Sequence, residues 1–484
     1  MTRHGSPVDR SQLVDFQPLD PHNRPAPFKR YVGRAPAPLP TDIEAPASGG
    51  RLDRRSLARL LFFTGGVTRV TESAGLDGRA YFRTAMSAGN LHPVELYVVS
   101  GGGGDVPAGA HHYAPLEHGL TPLRDGAVGG GTSVVLTGIP WRTSWKYGER
   151  GYRHLFWDAG TMLANLLAIA DADGIPAHVQ LGFVDDDVAR LLGVDGATEY
   201  PLAVVSLGEA GDLSAWSGAD EITVDVEPIS THPIEFPLVA ATHRAGALAT
   251  AAEVDEWRRA AAGLGQRAQQ VPAAASGAIE EVILRRGSTR MMRQEEAPRE
   301  LLAQAMATAA QPVAGDFVGA DRTLLEHELS VHAVHGVPPG AYRWRPGGEL
   351  ELVHEGDSRE AAQLLCLRQP LGGDSAYTVF HAADLDAVLG ALGTRGYRAA
   401  QLEAGVASGR LSLAAFALGF GATGLTFFDD AVAHFFETSA ACMLVTSVGV
   451  PAYRNTAGGL PGRTATLAGY EQLMNRLSLE LRRR

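Results

Sequence analysis

The sequence predicts an α+β fold made of two like units in tandem, paired within one chain as a pseudo-dimer. Three observations predict it. Short motifs recur at a constant spacing: Gly151-Tyr152-Arg153 returns as Gly396-Tyr397-Arg398, and Ala159-Gly160 returns as Ala404-Gly405, each 245 positions on. The strands before them keep the same spacing, with Ser133-Val134-Val135-Leu136 facing Thr378-Val379-Phe380-His381. An Ala-rich break at about 245–277 separates halves of similar length, as expected of a duplicated chain.

Each unit alternates β and α patterns. Val94 to Val99, Ser133 to Thr137 and Leu202 to Leu207 read as strands. Between the last two lies a helix from His154 to Ala172, with Leu155, Phe156, Ala159, Met162, Leu163 and Leu166 on one wide apolar face. Gly174 and Pro176 end it. Its counterpart, Ala399 to Leu418, carries Gly405 and Gly409 in a small-residue stretch. That stretch suits a core helix or a close helix pair across the pseudo-dimer. Further on, Phe183, Asp185 and Asp186 face Phe428, Asp430 and Ala431 at the same offset. Looser matches set Glu95-Leu96 against Glu328-Leu329, Gly109-Ala110 against Gly340-Ala341, and Leu207-Gly208 against Val448-Gly449. Residues 1–50, rich in proline and polar residues, read as an extended arm. The units are then 51–245 and 278–484, joined by a linker at 246–277 with a helix around Ala251 to Leu264.

Composition narrows the function. The 484 residues are 45% hydrophobic and 20% charged, an ordinary globular profile. A net charge of −12 argues against nucleic acid as partner. Cys366 and Cys442 form no disulfide framework or metal spacing, which fits a reducing cytoplasm. Met1 to Leu13 lacks the apolar core of a signal peptide, and no apolar run is long enough for a membrane span.

Three segments carry chemistry. Arg286, Ser288 and Arg290 alternate, so an extended backbone points them to one side, where two guanidiniums and a hydroxyl suit a phosphate. An isolated Arg-rich hexapeptide also reads as a solvated basic stretch. Ser87-Ala88-Gly89-Asn90 offers short polar side chains and a glycine that lets a flat ligand approach, or is simply a turn. Lys146-Tyr147 supplies a base and an acid if burial lowers the lysine. The second half has Ala391-Leu392 there, so the fold does not need the pair. Gly419, Gly421 and Gly424 spell a dinucleotide-binding pattern but follow a helix and precede a strand, Leu425 to Phe428, the reverse of the required order. They read instead as a loop offering backbone N–H groups. His111-His112 has no metal-ligand partner at suitable spacing, and no metal is expected.

Arg83, the run Ser87 to Tyr97, Trp145-Lys146-Tyr147 and Arg150 to Arg153 resemble the SagB/ThcOx-type branch of the nitroreductase superfamily, as does the arm with Pro27-Phe28-Lys29-Arg30-Tyr31 before Leu39-Pro40. The resemblance implies two nitroreductase-like domains, each a mostly antiparallel sheet flanked by helices, with FMN bound between them. It implies that Lys146 and Tyr147 match the family's catalytic pair. It implies oxidation of thiazoline or oxazoline rings in a ribosomally made peptide, delivered by a cyclodehydratase or leader-binding protein, with dioxygen as electron acceptor. The chain departs from that pattern at Met86, where the family has proline, and in its second half, where Pro312-Val313-Ala314-Gly315-Asp316 replaces the Ser-Ala-Gly-Asn run.

The elements are unequally divided. Arg286, Ser288, Arg290, the Gly421–Gly424 loop with Thr423 and Gly424, and the late Arg454 and Arg463 fall in the second half. Ser87, Ala88, Asn90, Lys146 and Tyr147 fall in the first. The opposite combination pairs acidic Glu209 to Asp212 with Pro312 to Asp316, a poor place for a phosphate, so one flavin site is expected. The alternatives are an NAD(P)H-dependent nitro or quinone reductase and a non-catalytic flavin-binding scaffold.

Overall fold

The computed structural model describes residues 19–46, 49–72, 78–103, 105–208, 213–268 and 278–470, with 476 and 479. The acidic stretch at 209–212 and the end of the linker at 269–277 lie outside the described residues.

Two antiparallel sheets have matching topology. The first runs Gly119–Asp125, Gly109–Ala114, Val94–Ser100, Thr132–Gly138, Tyr200–Leu207, Ala177–Gln180, with Ala37–Pro38 of the arm added at one edge. The second runs Leu350–Glu355, Gly340–Trp344, Leu325–Val331, Tyr377–Ala383, Ala441–Pro451, Gly421–Leu425, with Met292–Arg293 also on Ala441–Pro451. Even the irregularities correspond. The ladder of Thr132–Gly138 with Tyr200–Leu207 bulges between Leu136 and Thr137, and that of Tyr377–Ala383 with Ala441–Pro451 bulges between His381 and Ala382. The central strands are buried on both faces, while the edge strands Leu350–Glu355 and Ala37–Pro38 stay largely exposed.

The long helices Gly151–Ala172 and Leu385–Ala417 sit face to face between the sheets and form the most extensive contact in the molecule. Glycine makes this possible. A Cβ on Gly405 would lie 2.6 Å from the Trp157 carbonyl oxygen, and one on Gly160 would lie 2.6 Å from Gly405 Cα. Gly160 and Gly405 therefore mark the point where the pseudo-twofold axis passes between two backbones, and the stretch serves the helix pair. Each long helix is preceded by a short one, broken from it by a glycine in a positive-φ conformation: Gly148 (φ 54) and Gly393 (φ 59). The short helices are Pro140–Tyr147 and the segment beginning at Leu385.

The repeated Gly-Tyr-Arg has a structural reason. Arg150 and Arg153 bind Asp429 at 3.0 and 2.9 Å, while Arg395 and Arg398 bind Asp185 at 2.6 and 3.1 Å. All six are buried, so each half locks onto the other with the same ion triad. Removing one member would strand buried charge, at a cost of about 3–5 kcal/mol. Arg59, Asp173 and Glu280 add a third buried link between the halves.

Two sequence matches need correction. Asp185 corresponds to Asp429, not Asp430, and Phe183 to Phe427, because Gly182 is an extra residue in the first half. Both phenylalanines lie under an arginine of the opposite half, Arg395 over Phe183 and Arg150 over Phe427. Glu95 corresponds to Glu326 rather than Glu328, since Val94 pairs with Gly138 as Leu325 pairs with Ala383. The segment Gly419–Gly424 also differs: Gly419 (φ 85) turns the chain out of the helix, and Gly421–Leu425 is itself the strand.

Candidate functional site

A cavity of about 680 Å³ opens between the halves. The first half contributes Ser87, Ala88, Asn90, Lys146 and Tyr147 to its wall, and the second contributes Arg286, Ser288, Arg290, Thr423, Gly424 and Arg454. Of the residues expected from the sequence, only Arg463 stays outside: it is exposed on the surface and bonds to Glu44 at 2.6 Å. A surface depression beside His354 and Phe435, about 740 Å³, is open to solvent and receives none of the expected residues.

The cationic end is built on the segment after the helix Ile279–Arg285. Thr289 N donates to Ala422 O at 3.0 Å, and Ser288 bridges to Ala422 in parallel, so 286–290 runs alongside the strand Gly421–Leu425. This backbone turns Thr289 inward and leaves Arg286, Ser288 and Arg290 lining the cavity. The Arg286 guanidinium spends Nε and Nη2 on Thr84 O, at 3.2 and 2.9 Å. Its Nη1 is buried and has no hydrogen-bond partner among the described residues. Burial and the neighbouring Arg69 hold its pKa below the ordinary arginine range, as expected for a cation lacking a counter-ion. Asp158 is the sole carboxylate on the cavity wall among the described residues.

Arg69 was not legible in the sequence. It lines the same cavity and draws together the carbonyls of Leu284, Arg286 and Thr456, at 2.5, 3.0 and 2.6 Å. Tyr453 hydroxyl accepts from Arg290 N at 3.0 Å, so the chain after the last long strand closes over the cationic end.

At the other end the short helix Pro140–Tyr147 presents Lys146 and Tyr147 to the Ser87–Asn90 turn. Gly89 (φ 62) is obligatory there, because a Cβ would meet the Tyr147 hydroxyl at 2.8 Å and Lys146 Nζ at 3.3 Å. Arg142 secures the helix from below, bonding to Ala26 O and His92 O, both at 2.9 Å, and to Glu95 at 2.5 Å. Burial, then Arg290 and Arg24, lower the Lys146 pKa. Burial and Asp158 raise that of Tyr147, keeping it a phenol.

One face of the long helix completes the wall with His154, Trp157, Asp158 and Thr161. Their helical spacing was a readable polar stripe, masked by the broader apolar face beside it. His154 stacks on Trp157 and meets Tyr147 edge-on at 4.2 Å. Asp158 Oδ1 accepts from Ala88 N at 3.0 Å, and burial pushes its pKa up to about 7.

The pseudo-equivalent position in the other half is filled by protein. Val179, on the strand equivalent to Gly421–Leu425, bonds to Ala314 O at 2.8 Å and accepts from Asp316 N at 3.1 Å. The helix Ala251–Ala262 plugs what remains. Trp257 Nε1 donates to Leu392 O at 3.3 Å, at the position equivalent to Tyr147 in the first half. Arg258 bonds to Asp316, Gln180 and Gly182 O. Among the described residues no cluster of three metal-ligating side chains occurs, and no helix is long and apolar enough to cross a membrane.

Residues 67–209 match the nitroreductase family model. The chain is 27% identical over 172 residues to a protein named as a nitroreductase, MJ1384 of Methanocaldococcus jannaschii, covering 32% of this chain and 81% of that one. It is 30% identical over 146 residues to the microcin B17-processing protein McbC of Escherichia coli, covering 26% of this chain and 54% of McbC, about half the relative's length. A crystal structure described as a nitroreductase from Anabaena variabilis superposes with a TM-score of 0.74 at 25% identity, over 93% of this chain and 98% of that one, so the whole two-sheet arrangement is shared. The chain is an oxidoreductase-family protein and belongs to the nitroreductase superfamily as a SagB-like member.

Proposed function

We propose that the protein is an FMN-dependent dehydrogenase that oxidises thiazoline or oxazoline rings of a ribosomally made peptide, using the single cavity between its halves. One observation carries this reading: Lys146 and Tyr147 of one half meet Arg286, Ser288 and Arg290 of the other across one cavity. FMN fits these residues. The buried, unpartnered Nη1 of Arg286 awaits an anion, Arg69, Arg290 and Arg454 reinforce it, and about 680 Å³ is within the range of small-molecule sites. Arg286, Ser288, Arg290 and Arg454 would hold the phosphate. Gly424 is the exposed residue of its otherwise buried strand, and with Thr423 and the Ser87–Asn90 turn it would flank the ring. We infer the same division of the chain as the repeats suggest, with units at 51–245 and 278–484.

When bound, FMN supplies a two-electron acceptor. The chain's own residues supply the rest. Lys146, with its pKa lowered, is the group that accepts the proton from the substrate ring, and Tyr147, kept a phenol, donates a hydrogen bond beside it. The Ser87–Asn90 turn and Trp157 narrow the cavity around the bound ring and limit water. Dioxygen is the terminal acceptor, and similarity to the microcin B17-processing protein McbC supports a peptide substrate.

Purified protein reconstituted with FMN should convert an azoline-containing peptide to the azole in air without NAD(P)H. Rapid bleaching of the bound flavin by NADPH, with no turnover of the peptide, would establish instead a nitro or quinone reductase, the reading favoured by the names of MJ1384 and the Anabaena protein.

A further inference from the structure

A file of four buried polar groups leads from the cavity into the second sheet. Ser408 lines the cavity, and Thr446 Oγ1 donates to its hydroxyl oxygen at 2.7 Å. His381 Nε2 lies 3.1 Å from Thr446 Oγ1, and His381 Nδ1 lies 3.1 Å from His327 Nδ1. None of the four is more than 3% exposed.

The duplicated fold supplies its own control. Ser408 sits three residues past Gly405, as Leu163 does past Gly160. Thr446 pairs with Val379 as Val205 pairs with Val134. His381 lies in the ladder where the first half has Leu136, and His327 pairs with His381 as Leu96 pairs with Leu136. The first half thus packs these four positions with Leu163, Val205, Leu136 and Leu96, all 2% exposed or less. Hydrocarbon satisfies the fold here, and burying hydroxyls and imidazoles instead is unfavourable unless every group is bonded. The replacement occurs only in the half whose copy of the file ends at the cavity.

The file has one polarity. Thr446 gives its proton to Ser408, so its oxygen receives the Nε2–H of His381. His381 Nδ1 is then bare and accepts from His327 Nδ1–H. Burial keeps both imidazoles neutral, holding His327 down at about 4 and His381 well below its usual value, so each has one N–H to give. Every donor points toward the cavity, and the Ser408 proton is left for whatever the cavity holds.

We propose that Ser408 is a fixed hydrogen-bond donor to the redox group in the cavity, held in that role by Thr446, His381 and His327, and that it stabilises the electron-rich reduced form more than the oxidised form. This rests on the assignment of FMN to the cavity. A donor aimed at a group that gains electron density on reduction raises its potential.

Two variants test it. Ser408→Ala removes the donor. The triple change Thr446→Val, His381→Leu, His327→Leu installs the first half's apolar residues and frees the serine to rotate. The readouts are the midpoint potential and visible spectrum of bound FMN under anaerobic titration, the dissociation constant of oxidised FMN, and the unfolding temperature. Both variants should bind oxidised FMN within about threefold of wild type, and both should lower the potential by an amount equivalent to roughly tenfold weaker relative binding of reduced FMN. The triple variant should unfold no earlier than wild type, since hydrocarbon replaces buried polar groups at positions that the first half already packs with hydrocarbon. Bound FMN with an unchanged potential in Ser408→Ala overturns the inference while leaving the cofactor assignment intact, and it does so even if the triple variant fails to fold. Absence of FMN binding by the wild type overturns both.

Discussion

Arg286 offers the sharpest test of where a phosphate sits. Its side chain is 95% buried and divided in function, with two nitrogens on Thr84 O and the third facing the cavity unpaired. Arg286→Ala should therefore have two separable effects. Loss of a charge-assisted bond to a phosphate weakens FMN binding by about 1.5–3 kcal/mol, or roughly 10- to 150-fold in Kd. Loss of the bonds to Thr84 O costs about 1–3 kcal/mol of stability, partly offset because a cation without a counter-ion is no longer buried. Riboflavin has the same ring and no phosphate. Fluorescence titration should give wild type a large preference for FMN over riboflavin, and the variant should lose that preference while its riboflavin affinity changes little. Equal weakening toward both ligands would show Arg286 to be a strut for Thr84 and would refute a phosphate at this end.

Lys146→Ala and Tyr147→Phe should retain FMN at near wild-type affinity and lose at least about 100-fold in peptide oxidation, because the equivalent half folds with Ala391 and Leu392 in their place. The pH profile of kcat/KM should rise through a pKa below the ordinary lysine value, and Arg24→Ala should move that limb to higher pH by removing one of the charges that lower Lys146. Asp158 has its folded pKa raised to about 7, so the stability it contributes is complete below its unfolded pKa near 4 and is lost as pH rises through 7. Asp158→Asn should accordingly flatten the fall in unfolding temperature between about pH 4 and 7, and an unaltered slope would rule out that titration. Reconstituted protein should hold one FMN per chain, measured by absorbance after gel filtration, whereas two per chain would contradict the filled second position.

The duplication was legible because its signals are interface residues that both halves must keep: Gly160 and Gly405 where helices touch, and Arg153 and Arg398 where each half grips the other's aspartate. The register errors have physical causes. Phe427-Phe428 and Asp429-Asp430 are doubled letters, so a one-residue slip matched as well as the true alignment, and nothing marked Gly182 as the extra residue. The Glu95 match slipped by two, a shift that preserves which face of a strand each side chain takes, so its pattern of alternation could not expose it. In the site, Arg286, Ser288 and Arg290 were readable because alternation in an extended segment fixes their direction. Arg69 and Arg463 were not, since whether an arginine faces a cavity or Glu44 depends on distant elements. Ser408, Thr446, His381 and His327 are scattered over 120 residues, and only the strand pairing makes them a file.

Fusion explains why the halves differ. In a symmetric dimer every substitution appears at both sites, so a residue useful on one side of a cavity is imposed on the other. Here each half has been free to take one part. The second half keeps the arginine cluster and adds the polar file below Ser408, while the first keeps Gly89 and the Lys146-Tyr147 helix. The opposite combination is not left as an empty gap at the pseudo-dimer interface. Segment 313–316 bonds directly to Val179, and the linker helix Ala251–Ala262 drives Trp257 and Arg258 into the space. That linker ties the halves together in sequence as well, so it holds the second unit at high effective concentration while filling the position pseudo-equivalent to the cavity. A linker chosen only for length would not place a buried tryptophan against Leu392, the position equivalent to Tyr147 of the first half.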